Sequence, residues 1–469
     1  MSRIHIVGVG GTGMSAIAIV LAQMGHDVSG SDIRESSVLD ALRELGVRVN
    51  VGHDTSAVFG CDTVTSSAAI PSDNIELEAA RRMQITVLAR GQILADICSK
   101  KYSIGVAGTH GKTTTSSMLM LMLADADMDP SFIIGGDVVD VGTGAQWSTG
   151  SMLVVEADES DGTHRLLPLA GTILTNIDID HLDHFGSLDG ILAGFDDYLS
   201  GISGLKVLCL DDLRCAQLAL NHDVLSYGID SAAQMIASRI VFDHGACEFD
   251  VDRRDENGSG YHTLGRIELP LRGRHNVLNA LGALTMAMEL GVSFDSAKRS
   301  LGRFGGVARR FDHRGFDDGV TFVDDYAHLP AEIRSVLVGA RDGSDTWKRI
   351  VAVFQPNRYN RMAVLSPAYA DAFIPADVAV ITDIYPSGTT PIPGVTGKLV
   401  VNAVLDSHPQ AHMVWLPERG DLVNFLATEL RPGDLCISMG CGDVSTLPTE
   451  VISRRTQIRD SAQSSTSAR

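Results

Sequence analysis

The apolar positions of this chain keep two alternating rhythms. Short runs that fit a buried strand, at residues 4–8 and 28–32, are each followed by stretches with helical spacing, at 14–24 and 37–45. Strand then helix, repeated, predicts a parallel sheet built from βαβ units. The rhythm restarts at 102–107 and continues with strand candidates at 151–156, 171–177 and 205–210. It restarts a third time near Ala308, with strands expected at 320–323, 349–354, 378–381 and 435–439. Between the second and third blocks, Phe249, Val251, Tyr261, Ile267 and Leu269 alternate with polar residues, and Asn257-Gly258 marks a turn, so residues 240–275 predict a small antiparallel excursion. The expected fold is α/β in three domains, at residues 1–98, 99–307 and 308–453. Residues 454–469, nearly devoid of apolar side chains, are expected to be a mobile tail.

Composition narrows the function. With 44% hydrophobic residues over 469 positions there is material for several cores. A net charge of −20 disfavours nonspecific binding to nucleic acid or anionic membrane, so a polyanionic substrate needs local cations or metal ions. No stretch of eighteen apolar residues and no signal peptide is visible, which predicts no membrane insertion. Seven scattered cysteines without a CxxC pair fit reduced thiols and a cytoplasmic protein.

Two glycine loops carry the candidate chemistry. Gly8-Val9-Gly10-Gly11-Thr12-Gly13 follows the first strand and opens a helix, which suits a diphosphate at a helix N-terminus. Asp32 ends the next strand, where such folds place a ribose-binding carboxylate. Alone, this loop favours NAD, and an NAD-dependent oxidoreductase is the competing class. Gly108-Thr109-His110-Gly111-Lys112-Thr113-Thr114-Thr115 follows the 102–107 strand. It departs from the strict phosphate-loop pattern at Val106, yet keeps backbone amides for phosphates, Lys112 for the β and γ groups and the Thr113 hydroxyl for Mg²⁺. ATP is the expected ligand. Further on, one strand ends at Glu156, followed by Ala157-Asp158-Glu159-Ser160-Asp161, and another leads into Asp178-Ile179-Asp180-His181-Leu182-Asp183-His184. Carboxylates in these places suit Mg²⁺. The HxxH spacing of His181 and His184 is not that of a zinc protease helix.

GTHGKTTT, EADESDG and NIDIDHLD, in this order, resemble the Mur ligase family, and the likeness continues through Gly273-Arg274-His275-Asn276-Val277-Leu278-Asn279, Ala308-Arg309-Arg310-Phe311 and Asp324-Asp325-Tyr326-Ala327-His328. The resemblance implies an N-terminal Rossmann-like domain for a UDP-sugar, a central phosphate-loop ATPase domain, and a C-terminal Rossmann-like domain that closes with the amino acid. It is greatest to the branch that adds L-alanine to UDP-N-acetylmuramate with ATP and Mg²⁺. A ligase that adds a preformed tripeptide to the same UDP-sugar is the nearer rival.

The resemblance implies UDP-sugar contacts at Gly10, Gly11, Thr12, Gly13, Met14, Asp32, Ser67 and Arg90, with His110 at the muramate carboxylate. It implies an ATP set of Gly108, Thr109, His110, Gly111, Lys112, Thr113, Thr114, His275, Asn276, Asn279, Arg310 and Asp325. Metal ligands would be Thr113, Glu156 and His181, with Glu159 the alternative to Glu156. Lys112, His181 and Arg310 would carry the catalytic charge stabilisation. His328, Arg358 and Arg361 would handle the amino-acid carboxylate or the reacting phosphate. Three departures fall in the third block: DYAHHP reads Asp325-Tyr326-Ala327-His328-Leu329-Pro330, QPHRYxR has Asn357, and the YPAGE-like segment reads Tyr385-Pro386-Ser387-Gly388-Thr389. No lysine lies between Lys112 and Lys206, which argues against the carbamylated lysine of several sister ligases.

Overall fold

The computed structural model describes residues 1–67, 69–180, 185–243, 245–342 and 347–467, with side chains to residue 461. The chain forms two units. The first comprises residues 1–240, 248–270 and 275–307, and the second residues 308–469 with the short segments 241–247 and 271–274.

In the first unit, β1 (Arg3–Val7), β2 (Asp27–Asp32), β3 (Arg48–Val51), β4 (Thr63–Ser66) and β5 (Thr86–Ala89) form a sheet of order β3-β2-β1-β4-β5. All of its pairs are parallel. β1 runs buried from Ile4 to Val7, and the helix Thr12–Gln23 lays Met14, Ile17, Ala18 and Leu21 into the same core. Strand order reverses between β1 and β4, so the glycine turn after β1 opens where doubly wound sheets bind nucleotides.

The second sheet has the order β15-β14-β13-β12-β11-β10-β6-β9-β7-β8. Its strands are β6 (Tyr102–Ala107), β7 (Ser131–Val138), β8 (Thr143–Gln146), β9 (Met152–Glu156), β10 (Gly171–Leu174), β11 (Leu205–Cys209), β12 (Leu225–Gly228), β13 (Met235–Asp243), β14 (Ala246–Arg254) and β15 (Tyr261–Leu269). β6 lies between parallel neighbours β9 and β10, so Glu156 and the segment after Leu174 end beside the turn that follows Ala107. The next helix, Lys112–Asp125, is buried continuously from Thr113 to Leu123, and Met118, Met120 and Met122 are packing residues. The expected excursion is the run β13 to β15. Its turn sits at Asn257-Gly258, where Gly258 N–H donates to the Asp255 carbonyl (2.8 Å).

The second unit holds β16 (Asp312–Asp317), β17 (Val320–Asp325), β18 (Arg349–Phe354), β19 (Val378–Ile381), β20 (Met413–Trp415) and β21 (Asp434–Met439). Their order is β16-β17-β21-β18-β19-β20, antiparallel only at β16–β17. Of residues 454–469, expected as a mobile tail, the described ones to Ser467 continue the helix Leu447–Ser467. The physical reason is a set of polar anchors rather than an apolar stripe. Arg455, 6% exposed, pairs with Asp317 (2.7 Å) and donates to the Leu430 carbonyl (3.0 Å), and Arg459 adds a second bridge to Asp317 (2.6 Å).

Removing one member of a largely buried ion pair strands the other. Arg455→Ala is therefore expected to destabilise this unit by about 3 kcal/mol, and Arg454→Ala, at an exposed neighbouring position, by less than about 0.5 kcal/mol. Denaturant unfolding of the two variants checks the contrast.

Candidate active site

The second glycine loop is held from one side by the end of β10. The Asn176 carbonyl accepts Thr109 N–H (3.0 Å), the Asn176 side chain accepts His110 N–H (2.9 Å) and returns a bond to the His110 carbonyl (2.9 Å), and the Thr175 hydroxyl donates to that carbonyl (2.6 Å). Gly108 has φ +121°, and a Cβ there would lie 2.3 Å from the Thr175 oxygen. Gly111, at φ +81°, is the N-cap of the helix Lys112–Asp125, and no side chain caps it. The exposed positive end of a buried helix is a ready anion site. A Cβ on Gly111 would lie 2.3 Å from Asn279 Oδ1, so the helix Arg274–Glu289 brings Asn279 against the loop, with Asn279 Nδ2 donating to Asn276 Oδ1 (3.1 Å). His275 stands one residue before Asn276 on the same helix.

The charges around this loop are tightly paired. Lys112 Nζ donates to both oxygens of Glu159 (3.1 Å each) and to the Gly108 carbonyl (2.5 Å). Burial works against the Lys112 ammonium, but Glu159, Asp158 and Glu156 together raise its pKa and keep it charged. Burial lifts the Glu159 carboxyl to about 6 against the pull of Lys112. Glu156 differs: its Oε1 is buried without a hydrogen-bond partner, and Gly135 leaves it room, since a Cβ there would lie 2.6 Å from Oε2. An orphaned carboxylate oxygen is an atom waiting for a cation or donor. Thr113 and Thr114 are buried in the first turn of the helix, and His181 lies outside the described residues. Among the described residues no cage of three or more His, Cys, Asp or Glu is present.

The first glycine loop is pinned by β2. The Ser31 carbonyl accepts Gly8 and Val9 N–H (2.8 and 3.0 Å), and Asp32 Oδ2 accepts Gly10 N–H (2.9 Å). Asp32 thus braces the loop as well as standing at its mouth. Gly11 is the N-cap of the helix Thr12–Gln23, again with no side-chain cap, and Thr12 is exposed there. Ser67 packs below Gly8, 3.3 Å from where its Cβ would be. Met14 is 2% exposed and its side chain packs in the core, so the contact expected of it would come from its backbone.

Arg90 links the first loop to the segment after β9. It lies 3.3 Å from the position of a Gly13 Cβ and bridges Asp158 and Asp161 (3.0 Å each). His110 Nε2 bonds Asp178 (3.2 Å), and that bond holds the Asp178 carboxyl below its ordinary range. Sequence reasoning read Asp158, Asp161 and Asp178 only as carboxylates suited to Mg²⁺, not as partners of Arg90 and His110, and did not single out the clamp residues Thr175 and Asn176. Their signal was present, because all follow strands that flank β6.

In the second unit, Asp325, 4% exposed, accepts Phe311 and Ala327 N–H (2.8 and 2.7 Å), and burial raises its carboxyl to about 6 despite Arg310. The Arg310 guanidinium lies over the Tyr326 ring (5.3 Å). His328 is held by Glu332, which accepts its backbone N–H (2.9 Å) and lies 3.3 Å from its Nδ1. Arg358 has φ +61° and a buried Nε without a hydrogen-bond partner, and Arg361 donates to Asn357 (3.0 Å). The three departures are supports: Leu329 is a buried N-cap residue, Asn357 orients Arg361, and the Thr389 hydroxyl accepts Tyr359 N–H (3.0 Å).

Comparisons with known proteins agree along the chain. Residues 3–102 match the model described as Mur ligase family, catalytic domain; residues 106–287 the Mur ligase middle domain; and residues 309–442 the Mur ligase, glutamate ligase domain. A UDP-N-acetylmuramate--L-alanine ligase of Anaeromyxobacter sp. (strain Fw109-5) is 41% identical, covering 96% of this chain and 97% of its own. One of Geobacter sulfurreducens is 40% identical, covering 95% and 96%. The crystal structure of a UDP-N-acetylmuramate-alanine ligase from Thermotoga maritima superposes with a TM-score of 0.82 at 27% identity, covering 97% of this chain and all of that one. A murein peptide ligase from Psychrobacter arcticus shares the fold at a TM-score of 0.72 and 23% identity, covering 97% and 98%.

The close approach of Gly111 to Asn279 yields a direct test. Gly111→Ala forces a left-handed alanine and displaces Asn279, so binding of a nonhydrolysable ATP analogue, titrated by calorimetry, is expected to weaken about tenfold or more.

Proposed function

This chain belongs to the Mur ligase family, and from that premise we propose that it joins L-alanine to the carboxylate of UDP-N-acetylmuramate with consumption of ATP, in peptidoglycan precursor synthesis. Near-full-length relatives named for that reaction support the substrate pair. The observation that carries the reading is structural: one unit presents two uncapped helix N-termini, one at Gly11 and one at Gly111, with Arg90 beside Gly13 and paired to Asp158, whose charge also acts on Lys112. A nicotinamide oxidoreductase would use only the first. Ligases that take a preformed peptide share the fold, but they superpose less well, at TM-scores of 0.72 and 0.59, than the alanine ligase at 0.82.

Amide formation from a carboxylate needs a better leaving group than oxide. In the proposed sequence a muramate carboxylate oxygen attacks the γ-phosphorus, the bond to the bridging oxygen breaks, and ADP departs. The alanine nitrogen then attacks the acyl carbon of the acyl phosphate, inorganic phosphate leaves, and the nitrogen gives up a proton.

Residues of this chain act on charge and position at each stage. Lys112 exchanges Glu159 for the β and γ oxygens, the amides after Gly111 take the remaining phosphate charge, and His110, fixed by Asp178, stands at the muramate carboxylate. Gly108, Thr109 and Thr114 complete the phosphate turn, and His275, Asn276 and Asn279 receive the adenine side. Arg310 and Asp325 serve the nucleotide, and His328, Arg358 and Arg361 serve the amino acid or the transferred phosphate. Gly10 to Gly13, Asp32, Ser67 and Arg90 serve the UDP-sugar. Thr113 and Glu156, joined by His181, would hold Mg²⁺, which supplies positive charge against the phosphoryl oxygens. The orphaned Glu156 oxygen fits that role, whereas both Glu159 oxygens are engaged by Lys112. No helix among the described residues is long and apolar enough to cross a membrane. Use of ATP and a set of free cysteines favour the cytoplasm as the place of action.

Phosphate release is expected only when ATP, UDP-N-acetylmuramate and an amino acid are all present. L-alanine should be preferred to glycine, since one methyl in a pocket is worth about 1–3 kcal/mol, and the tripeptide should be inactive. Release with the tripeptide and none with L-alanine would reassign the acceptor. Lys112→Ala is expected to abolish release while UDP-N-acetylmuramate still binds.

The two neighbouring glutamates should separate in a magnesium titration. Glu156→Gln is expected to raise the Mg²⁺ needed for half-maximal rate about tenfold, removing a charged ligand, and Glu159→Gln to leave it near wild type. The opposite result would transfer the metal role to Glu159.

A further inference from the structure

Beneath the first glycine loop lies a polar cluster that the proposed reaction does not use. Glu76, His5 and Ser31 are each 0% exposed. Glu76 belongs to the first turn of the helix Ile75–Arg82, where a carboxylate is favoured. Its Oε2 accepts the Ser31 hydroxyl (2.5 Å) and faces His53 Nδ1 (3.3 Å) and His5 Nε2 (3.4 Å), while Oε1 accepts Asp54 N–H (3.0 Å). His5 Nδ1 is tied in turn to the Ser29 hydroxyl (3.0 Å), and His53 Nδ1 also reaches the Ser31 hydroxyl (3.1 Å). One buried carboxylate therefore gathers β1, β2 and the segment after β3.

Ser31 is where this cluster meets the loop. Its hydroxyl is held by Glu76, and its carbonyl is the shared acceptor for Gly8 and Val9 N–H (2.8 and 3.0 Å). The next residue, Asp32, takes Gly10 N–H through Oδ2 (2.9 Å) and Gly52 N–H through its carbonyl (2.7 Å). Three successive loop amides thus take their positions from residues 31 and 32. A shift of the Ser31 backbone moves the loop and the helix start behind it. Packing alone would not select this arrangement, because a buried polar network is often no more stabilising than apolar residues of the same shape. Its distinctive property is directional: it fixes one carbonyl in one place.

We propose that Glu76 and Ser31 are a positioning pair for the UDP-sugar, setting the first glycine loop at the spacing its diphosphate requires. The proposal rests on the reading that this loop holds the UDP-sugar. Neither side chain touches the ligand. Both act through the Ser31 carbonyl and Asp32, and the ATP loop has no link to them through these bonds.

The test uses Ser31→Ala and Glu76→Gln in the full chain, with steady-state phosphate release measured against each substrate in turn. Both variants are expected to raise KM for UDP-N-acetylmuramate about tenfold, the loss of one well-formed hydrogen bond to a charged group. The kcat and the KM for ATP should stay within about twofold, since binding rather than chemistry is affected. A purely structural cluster would instead lower kcat with the folded fraction and leave both KM values alone. That pattern, or an equal rise in both KM values, overturns the proposal. Ser31→Ala keeps the packing nearly intact, so it decides the matter if Glu76→Gln does not fold.

Gly11→Asp separates the proposal from its premise. Aspartate is a favoured N-cap and its Cβ would meet only the Gly8 carbonyl oxygen at 3.6 Å, yet it sets a negative charge where the diphosphate should lie. If Gly11→Asp leaves KM for UDP-N-acetylmuramate unchanged, the reading of the loop fails. If it raises that KM while Ser31→Ala and Glu76→Gln do not, the positioning pair alone fails.

Discussion

A helix terminus that is to hold a phosphate must be left without a cap of its own, and the rest of the first unit follows from meeting that constraint twice. At Gly11 and at Gly111 the N-cap carries no side chain to satisfy the first-turn amides. Unsatisfied amides are costly when buried, so each terminus opens at a place where strand order reverses and the chain leaves a crevice. Each turn must also be held from outside, because it cannot be held from within. Ser31 and Asp32 do this for the first loop, and Thr175 and Asn176 for the second. The glycines are demanded by that crowding: a Cβ at Gly108 or Gly111 would lie 2.3 Å from an oxygen of the bracing element.

The same crowding explains the pairing of charge. A cation placed for phosphate in a poorly hydrated loop needs counter-ions before the phosphate arrives. Lys112 finds Glu159, and Arg90 finds Asp158 and Asp161. On the proposed reading, substrate binding would be an exchange of anions rather than the capture of a bare cation. Asp158 also contributes to the raised pKa of Lys112, so the counter-ions of the two loops act on one another. Glu156 stands apart from this exchange, with one buried oxygen unpaired, and that distinction could not be read from two glutamates three positions apart.

What was legible in the sequence was whatever a local pattern dictates. Apolar runs located β6, β18 and β19 to the residue, and glycine spacing located both loops, since conformational demands fall on single residues. Less legible was anything decided by partners distant in the chain. Arg455 looks like a solvated tail residue until Asp317, far upstream, supplies its counter-ion. Met14 sits inside the stretch expected to meet the UDP-sugar, but helical spacing turns its side chain to the core. Glu76 is one acidic residue in a polar helix, and only the strand order brings His5 and Ser31 to it.

The departures from family pattern in the second unit have a related logic. Leu329 is buried at a helix start, Asn357 accepts from Arg361, and Thr389 accepts from the first turn of the helix Tyr359–Leu365. None is itself a cation or an acid. The groups able to meet a carboxylate or phosphate, Arg310, His328, Arg358 and Arg361, are all retained, and each is set by neighbours that differ in kind. Glu332 fixes His328, Asn357 fixes Arg361, and Arg358 keeps a positive φ that ordinarily requires glycine or local support. At Arg358 that backbone strain coincides with a buried Nε that has no acceptor, at a position proposed to meet the amino acid or the transferred phosphate. The variation therefore replaces two histidines of the pattern with Leu329 and Asn357, which support their neighbours, while Arg310, His328, Arg358 and Arg361 stay in place, so the positive charge of the segment rests on the arginines and one histidine.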